Sequence, residues 1–384
     1  VQTCTLPICV SATDGSRLTD VLVSWRSTAG AASYKVLRAT GDAAPTVIGS
    51  VAASILSYTD VTAVPGTIYR YSIRAAGAMG TGESEASAAD TGWRMLSAPT
   101  ALAASDGTNT AQVTLTWVAS AGAVSYKVFR VGTTEPIGTS ATNGYADTTA
   151  VPGVSYTYSV KAVGGTGTGE SAASSADTGW RGLPAPTGVL ASDGSSTAHV
   201  AVTWTASTGA SSYRVLRAAP GATAGVIATP TGTSILDTGA VPGVRYTYSV
   251  QAVGTAGGSA ISATDTGWRN LFAPTGLTAS DGTSATAVIV SWNASTGAAG
   301  YTVLRAEGGG AAAAVASVRA GVLTFSDVSA VPGTIYTYSV RARGNAGTGE
   351  SAPSGTDTGY RSGSSGSPSG MGAIGDAEIG RAHV

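Results

Sequence analysis

Val151-Pro-Gly-Val-Ser-Tyr156-Thr-Tyr158-Ser-Val160-Lys-Ala162 decides the fold. Pro-Gly sets a turn. Tyr156, Tyr158, Val160 and Ala162 then fall on alternate positions. A period of two over about eight residues is the pattern of a half-buried strand. The stretch returns as Val64-Pro-Gly-Thr-Ile-Tyr69-Arg-Tyr71-Ser-Ile73-Arg-Ala75, and again over 241–252 and 331–342. Four copies in register mean a tandem array of one small β unit.

The rest of each copy keeps the same period. A Pro stands seven residues before an Asp-Gly turn signal at Pro7/Asp14, Pro99/Asp106, Pro186/Asp193 and Pro274/Asp281. A short first strand fits between them. A second strand alternates through Val21, Val23 and Trp25, and through Val113, Leu115 and Trp117; its Trp recurs at Trp204 and Trp292. A third carries Tyr34 and Val36, with Tyr126, Tyr213 and Tyr301 in the other copies. A weaker fourth strand follows near Ile48. A fifth ends on an aromatic or aliphatic residue two before an Asp: Tyr58/Asp60, Tyr145/Asp147, Ile235/Asp237, Phe325/Asp327. The Pro-Gly-x-x-Tyr strand is the sixth. A Gly-rich hairpin leads to the last, which ends in Asp-Thr-Gly-Trp-Arg at 90–94, 177–181 and 265–269, with Tyr360 in place of Trp in the fourth copy. Seven short strands without a helical period call for two antiparallel sheets packed face to face.

These motifs resemble fibronectin type III domains. The Trp of the second strand, Tyr-x-Val of the third and Pro-Gly-x-x-Tyr-x-Tyr of the sixth carry the likeness, and Ser-Asp-Gly and Thr-Gly-Trp-Arg resemble the bacterial extracellular branch of that family. The resemblance covers Pro7 to about Arg361. It implies an all-β chain of four tandem seven-stranded antiparallel β-sandwiches of the fibronectin type III or immunoglobulin-like kind in an extended array. The expected modules are 7–94, 99–181, 186–269 and 274–361. The core is expected to hold Trp25, Trp117, Trp204 and Trp292. By resemblance, Tyr69, Tyr156, Tyr246 and Tyr336 take the tyrosine-corner position, with hydroxyls bonded to nearby backbone. Ala63, Ala150, Ala240 and Ala330 stand where the family usually has Leu, and Tyr71, Tyr158, Tyr248 and Tyr338 are expected to fill that space.

Composition narrows the function. Charged residues make up 11% of the 384-residue chain, and the formal net charge is −1. There is no basic footprint for nucleic acid, and no apolar run reaches the ~18 residues of a membrane helix. His199 is the one histidine before the tail, on the outward side of a strand, with no nucleophile or base partner in the sequence pattern. No catalytic residue, cofactor or metal is therefore expected. The Asp of each Asp-Gly is read as turn chemistry, since calcium takes six to eight oxygens. The module-end aromatics Trp93, Trp180, Trp268 and Tyr360 are read as packing at the joint with the next module, or as a glycan contact.

Spacing supports a packed joint. Arg94 to Trp117, Arg181 to Trp204 and Arg269 to Trp292 are each 23 residues, whereas Trp to the Pro-Gly Val varies within the copies. Flexible linkers tolerate length changes cheaply. Leu96, Leu183 and Leu271 follow the Arg in each linker, with Cys4 in their place at the first junction. The expectation is that each Trp and Leu rests on the next module's Asp-Gly turn, with Arg94, Arg181 and Arg269 near Asp106, Asp193 and Asp281.

At the ends, residues 1–6 read as the close of a preceding junction, because Val1-Gln2 align with Trp93-Arg94. A Cys4–Cys9 disulfide needs a turn at Pro7, and cysteine partners upstream are the alternative. Residues 362–384 read as a disordered Ser/Gly tail. Ile-Gly-Arg-Ala-His-Val at its end is the translation of the opening of a widely used sequencing adapter, so these residues read as adapter read-through. The expected function is a non-catalytic spacer or stalk in a bacterial secreted or cell-surface protein, a monomeric array without membrane insertion within this stretch. Two alternatives stand beside it. One is a polysaccharide- or protein-binding adhesion module. The other is an accessory region of an extracellular hydrolase whose catalytic domain lies elsewhere.

Overall fold

Alternating Val and aromatic residues fold as the period of two requires. In the first repeat β1 (Val10–Ala12), β2 (Val21–Trp25) and β5 (Ser57–Asp60) form a three-stranded antiparallel sheet in the order β1-β2-β5. The facing sheet runs β4-β3-β6-β7, from β3 (Ser33–Thr40), β4 (Thr46–Ala52), β6 (Tyr69–Ala76) and β7 (Asp90–Gly92). The structure is a computed structural model that describes residues 8–78 and 82–363. Cys4 and the tail beyond 363 lie outside the described residues. Among those described there is no α-helix.

The described chain divides into two compact units, and the division falls within the third repeat. The first unit takes the residues up to 185 together with Ala206–Tyr213 and Gln251–Ile261. It holds the first repeat and a second that repeats its plan. There Val113–Val118 pairs with Thr100–Ala104 and Gly144–Asp147, and Ser125–Arg130 pairs with Ser155–Val163. The second unit takes the remainder. It holds the three-stranded sheet of Thr187–Ala191, Val200–Thr205 and Ser234–Asp237, and a fourth repeat in which Gly300–Glu307 pairs with Tyr336–Arg343.

The inward residues of each strand make the core. Trp25, Trp117, Trp204 and Trp292 are buried, as are the valines beside them. Trp25 meets Tyr34 edge-on with ring centroids 5.5 Å apart, and Trp117 meets Tyr126 at 5.2 Å. Aromatic pairs of this geometry add about 0.5–1.5 kcal/mol beyond their buried area. The Tyr34 hydroxyl accepts the Thr28 N–H at 2.7 Å, so the ring is held at its polar end too.

A second polar anchor ties the sheets together. Asp60 ends β5 in one sheet. Its carboxylate accepts Arg38 Nη1 at 2.7 Å and the Tyr71 hydroxyl at 2.9 Å, both from the other sheet. The hydroxyl and N–H of Thr62 also donate to it, at 2.7 and 2.9 Å. The Arg38 guanidinium lies over the Tyr69 ring, 4.5 Å from its centroid. Asp147 with Arg130, Tyr158 and Thr149 repeats the arrangement, and so does Asp327 with Arg305, Tyr338 and Ser329. Tyr71, Tyr158 and Tyr338 are fully buried in the same cores as Ala63, Ala150 and Ala330, and Tyr248 and Ala240 are buried in the third repeat. Tyr69 occupies the corner: its hydroxyl accepts the Val64 N–H at 3.2 Å, and Tyr156, Tyr246 and Tyr336 accept from Val151, Val241 and Val331 at 3.3 Å.

One segment departs from the expected pattern. The chain between the Gly-rich hairpin and β7 was expected to be a continuous strand, but residues 84–89 carry no strand. Ser84 and Ser87 are three apart, while the β6 residues they serve, Ala75 and Ile73, are two apart. Each Ser gives its N–H to the β6 carbonyl, and its hydroxyl accepts the β6 N–H at 3.0 Å. The hydroxyl covers what the extra residue takes out of the ladder. Ser171 and Ser174 do the same in the second repeat.

Burial pushes the Asp60 carboxyl up, but hydrogen bonds from Thr62, Arg38 and Tyr71 outweigh it, so it titrates below the usual carboxylate range. Burial likewise opposes, and hydrogen bonds overcome it, at Asp147 and Asp327. A depressed folded-state value contributes stability that is present above the unfolded value near ~3.9 and is lost as pH falls through the folded one. Stability measured by urea titration should therefore hold from neutral pH to about pH 4 as far as these groups are concerned, and fall below it. Asp60→Asn should flatten part of that acid slope; an unchanged slope would remove the anchor from the account. Trp117→Ala should cost about 3–5 kcal/mol by opening a cavity, against about 1 kcal/mol for Tyr156→Phe, which loses one net hydrogen bond. Hydrogen exchange of the second repeat's strands reads both, and equal effects would contradict the corner assignment.

Candidate functional site

Pro-Gly does more than turn the chain. Gly66 N–H donates to the Arg94 carbonyl at 2.9 Å, which leaves the Gly66 carbonyl facing outward from its own repeat. That carbonyl accepts two hydrogen bonds from the second repeat's hairpin, the Gly165 N–H at 3.0 Å and the Thr168 hydroxyl at 3.2 Å. The next junction copies it within the first unit: the Gly153 carbonyl accepts the Ala256 N–H at 3.1 Å and the Thr255 hydroxyl at 2.9 Å. In the second unit the Gly243 carbonyl accepts the Asn345 N–H at 2.9 Å and the Thr348 hydroxyl at 3.1 Å.

A second backbone approach seals each joint. Gly122 stands just before the third strand of its repeat, with φ +81°. A Cβ there would lie 1.8 Å from the Pro65 carbonyl oxygen. The same closeness holds for Gly209 against Pro152 (2.0 Å) and Gly297 against Pro242 (1.9 Å). Only glycine combines that φ with that contact. Leu96, Leu183 and Leu271 fill the space left, and all three are buried. Leu96 touches the Gly66 and Gly164 positions, and Leu183 those of Gly153 and Gly254. Burying such a side chain contributes about 1.5–3 kcal/mol.

The module-end aromatics lie elsewhere than expected. Trp93 pairs in parallel with Asp14 of its own repeat, through Gly15 N–H to the Trp93 carbonyl at 2.9 Å and Trp93 N–H to the Thr13 carbonyl at 3.1 Å. Trp180 pairs with Asp106, Trp268 with Asp193, and Tyr360 with Asp281 in the same way. The indole covers the preceding turn so closely that a Cβ on Gly15 would meet Trp93 Nε1 at 2.5 Å. The arginines follow suit. Arg94 forks onto the carbonyls of Leu18 and Ala63, Arg181 onto Thr110 and Ala150, and Arg269 onto Thr197 and Ala240. None of these is the next module's Asp-Gly carboxylate. The reason is the parallel bridge: it returns the chain end along its own repeat's loops, so Trp and Arg close that repeat, and the Leu two residues later reaches the joint. Trp93, Trp180 and Trp268 keep a partly exposed face, and Tyr360 is exposed.

Among the described residues no three His, Cys, Asp or Glu side chains gather as a metal site. His199 sits just before Val200, partly exposed.

No family model matches the chain. Among solved structures, a fibronectin type-III pair from chicken tenascin is 22% identical, covering 46% of this chain and 98% of that one at a TM-score of 0.38. An Fn3-like protein from Clostridium thermocellum is 30% identical, covering 23% of this chain and 90% of that one, at a TM-score of 0.21. Both are fibronectin type III-like structures to which part of this chain is similar. Two curated relatives share stretches with this chain. Endoglucanase B of Cellulomonas fimi is 34% identical over 63% of this chain and 25% of its own length. Exoglucanase B of the same organism is 31% identical over 65% and 24%. The chain thus spans about a quarter of the length of the curated relatives it matches.

The joint makes a local prediction. Leu96→Ala should destabilise the first joint by about 2–5 kcal/mol and speed hydrogen exchange of the Gly165 amide by at least about tenfold, while the strand amides around Trp117 keep their protection. Thr168→Val should do the same more weakly, by about 1 kcal/mol. If Gly165 exchanges no faster in Leu96→Ala, the two repeats are held together by something other than this contact.

Proposed function

We propose that the chain is a non-catalytic spacer of a bacterial extracellular protein that acts on polysaccharide. The observation that carries this reading is the joint. The same glycine carbonyl accepts the same pair of donors, a backbone N–H and a threonine hydroxyl, at three successive junctions. Chemistry spent identically on every junction favours holding one repeat against the next over varying a binding surface. The modules of the proposal are 7–94, 99–181, 186–269 and 274–361. The relatives named as glucanases support the polysaccharide setting and a location outside the cell. A glycan contact through Trp93, Trp180, Trp268 or Tyr360 is the second reading, favoured by their partly exposed faces.

The test is a replacement in the full-length parent. Exchanging these repeats for an unrelated run of β-sandwiches of equal length should keep activity on an insoluble substrate, and deleting two repeats should lower it. Loss of activity in the equal-length exchange would refute the spacer and favour the binding surface.

A further inference from the structure

Two side chains that fill the first, second and fourth repeats are missing from the third, and they are missing at the same place. Beside the Asp anchor, Thr62, Thr149 and Ser329 each give a hydroxyl to the carboxylate and accept from the guanidinium. The third repeat has Gly239 there. Two residues before the Asp, the other repeats carry Tyr58, Tyr145 and Phe325, and the third has Ile235. The Tyr58 ring lies over Gly49, so close that a Cβ there would sit 2.4 Å from it, whereas the third repeat has the shorter Ile235 and, at the register position of Gly49, Ala228.

The two truncations leave a cavity of about 550 Å³ open on one side. Arg217 and Asp237 are at its polar end, and Ile227, Ile235 and Leu236 line its apolar side. Asp237 is 6% exposed, against 1% for Asp60, Asp147 and Asp327. Without the hydroxyl, Arg217 Nη1 spans both carboxylate oxygens at 3.0 and 2.7 Å. The Gly239 N–H and the Tyr248 hydroxyl keep their bonds to Asp237.

We propose that this cavity is a subsite for a small carbohydrate, one of whose hydroxyls takes the place of the missing threonine hydroxyl between Arg217 and Asp237. The argument is one of chemistry and shape. The group that belongs there must donate to Asp237 Oδ1 and accept from Arg217 at once, which a hydroxyl does. An anionic ligand is repelled by Asp237 and a cationic one by Arg217; the pair is neutral together and selects a neutral ligand. Water satisfies the polar end but leaves the isoleucines wet. A pyranose carries hydroxyls on its rim and C–H groups on its faces, so it matches both ends. Cavities of about 300–1,000 Å³ hold small ligands of this size. The inference goes beyond the spacer reading, which needs no ligand.

Gly239→Thr tests it in the full chain, because it returns the residue the other repeats use. Gly239 is not among the residues with positive φ, and a Cβ there meets only Arg217 Nη1 and Asp237 Oδ1, each at 3.5 Å. The probe is cellobiose, followed by saturation-transfer NMR, with acetate and methylammonium as charged controls. Wild type should bind cellobiose saturably, with a dissociation constant on the order of 1 mM, and Gly239→Thr should weaken it at least about tenfold. The melting temperature of the variant should be equal or higher, since it regains a buried hydrogen bond. Gly239→Ser, the fourth repeat's version, should behave alike and serves as the second variant if the threonine fails to fold. Saturable binding unchanged by either variant would place the sugar elsewhere and overturn the proposal. So would the absence of saturable binding to wild type, or acetate or methylammonium competing as well as the sugar.

Discussion

The carboxylate at the end of β5 is the interaction on which each sandwich depends. Two sheets packed through apolar side chains can slide or rotate at little cost, because dispersion and burial are not directional. Asp60 removes that freedom: it is fixed in one sheet and gathers Arg38 and Tyr71 from the other. An ion pair this buried is no large source of stability, since desolvation offsets most of the Coulomb attraction. Its effect is to make one packing angle correct. Wrong registers leave an unpaired aspartate among valines, and an unpaired buried charge costs several kcal/mol. The Arg38 guanidinium over Tyr69 extends the constraint to the corner, where the Tyr69 hydroxyl fixes the Pro-Gly turn. The turn in turn aims the Gly66 carbonyl at the next repeat. The core, the corner and the joint are thus one chain of contacts.

The joint shows why small residues recur where large ones would seem to add more. Gly122 brings backbone against backbone, and any side chain there would separate Pro65 from it. Close approach gives the Gly66 carbonyl its two donors and leaves a gap that one leucine fills. Constant linker length follows from this. Leu96 enters its gap only if the chain from Arg94 has one length, and the spacing of 23 residues from Arg to the next Trp meets that condition at each junction.

The periodicity was legible because it reports burial directly. Val21, Val23 and Trp25 face one way, and a period of two has one structural meaning at that length. Leu96, Leu183 and Leu271 were legible as linker residues that pack at the joint, being apolar in a linker of fixed length, but they were expected on the next module's Asp-Gly turn and lie instead against the Pro-Gly turns at Gly66, Gly153 and Gly243. The partner of each Trp was not. Trp93 stands at the end of its repeat in sequence, which invites a contact with the next one; a parallel bridge to Asp14, nearly eighty residues earlier, leaves no local mark. Thr168, Thr255 and Thr348 were hidden likewise. Each is one hydroxyl in a Gly-rich hairpin, and the carbonyl it serves belongs to another repeat. The signal that could have found them is a threonine kept in hairpins that otherwise differ, Gly-Thr-Gly-Thr-Gly at 165–169 against Gly-Thr-Ala-Gly at 254–257.

A chain with 11% charged residues must protect its sheet edges by other means. An open edge offers N–H and C=O groups to any passing strand, and charges on the edge are a common remedy. Here serine does the work instead. The outer edge of β6 is closed over Ile73 and Ala75 by Ser87 and Ser84, whose hydroxyls accept the N–H groups that another strand would seek. Each of those hydroxyls donates in turn to the carbonyl of the residue after its serine, Glu85 and Ala88. The edge is therefore satisfied within its own chain, with no group left to pair outward at those positions. That arrangement suits a tandem array above all. Neighbouring copies of one sequence are held at high local concentration, and an edge able to pair with its own kind would meet a matching one in the next repeat. Serine at these positions leaves the Ile73 and Ala75 N–H groups with nothing to offer a neighbouring copy.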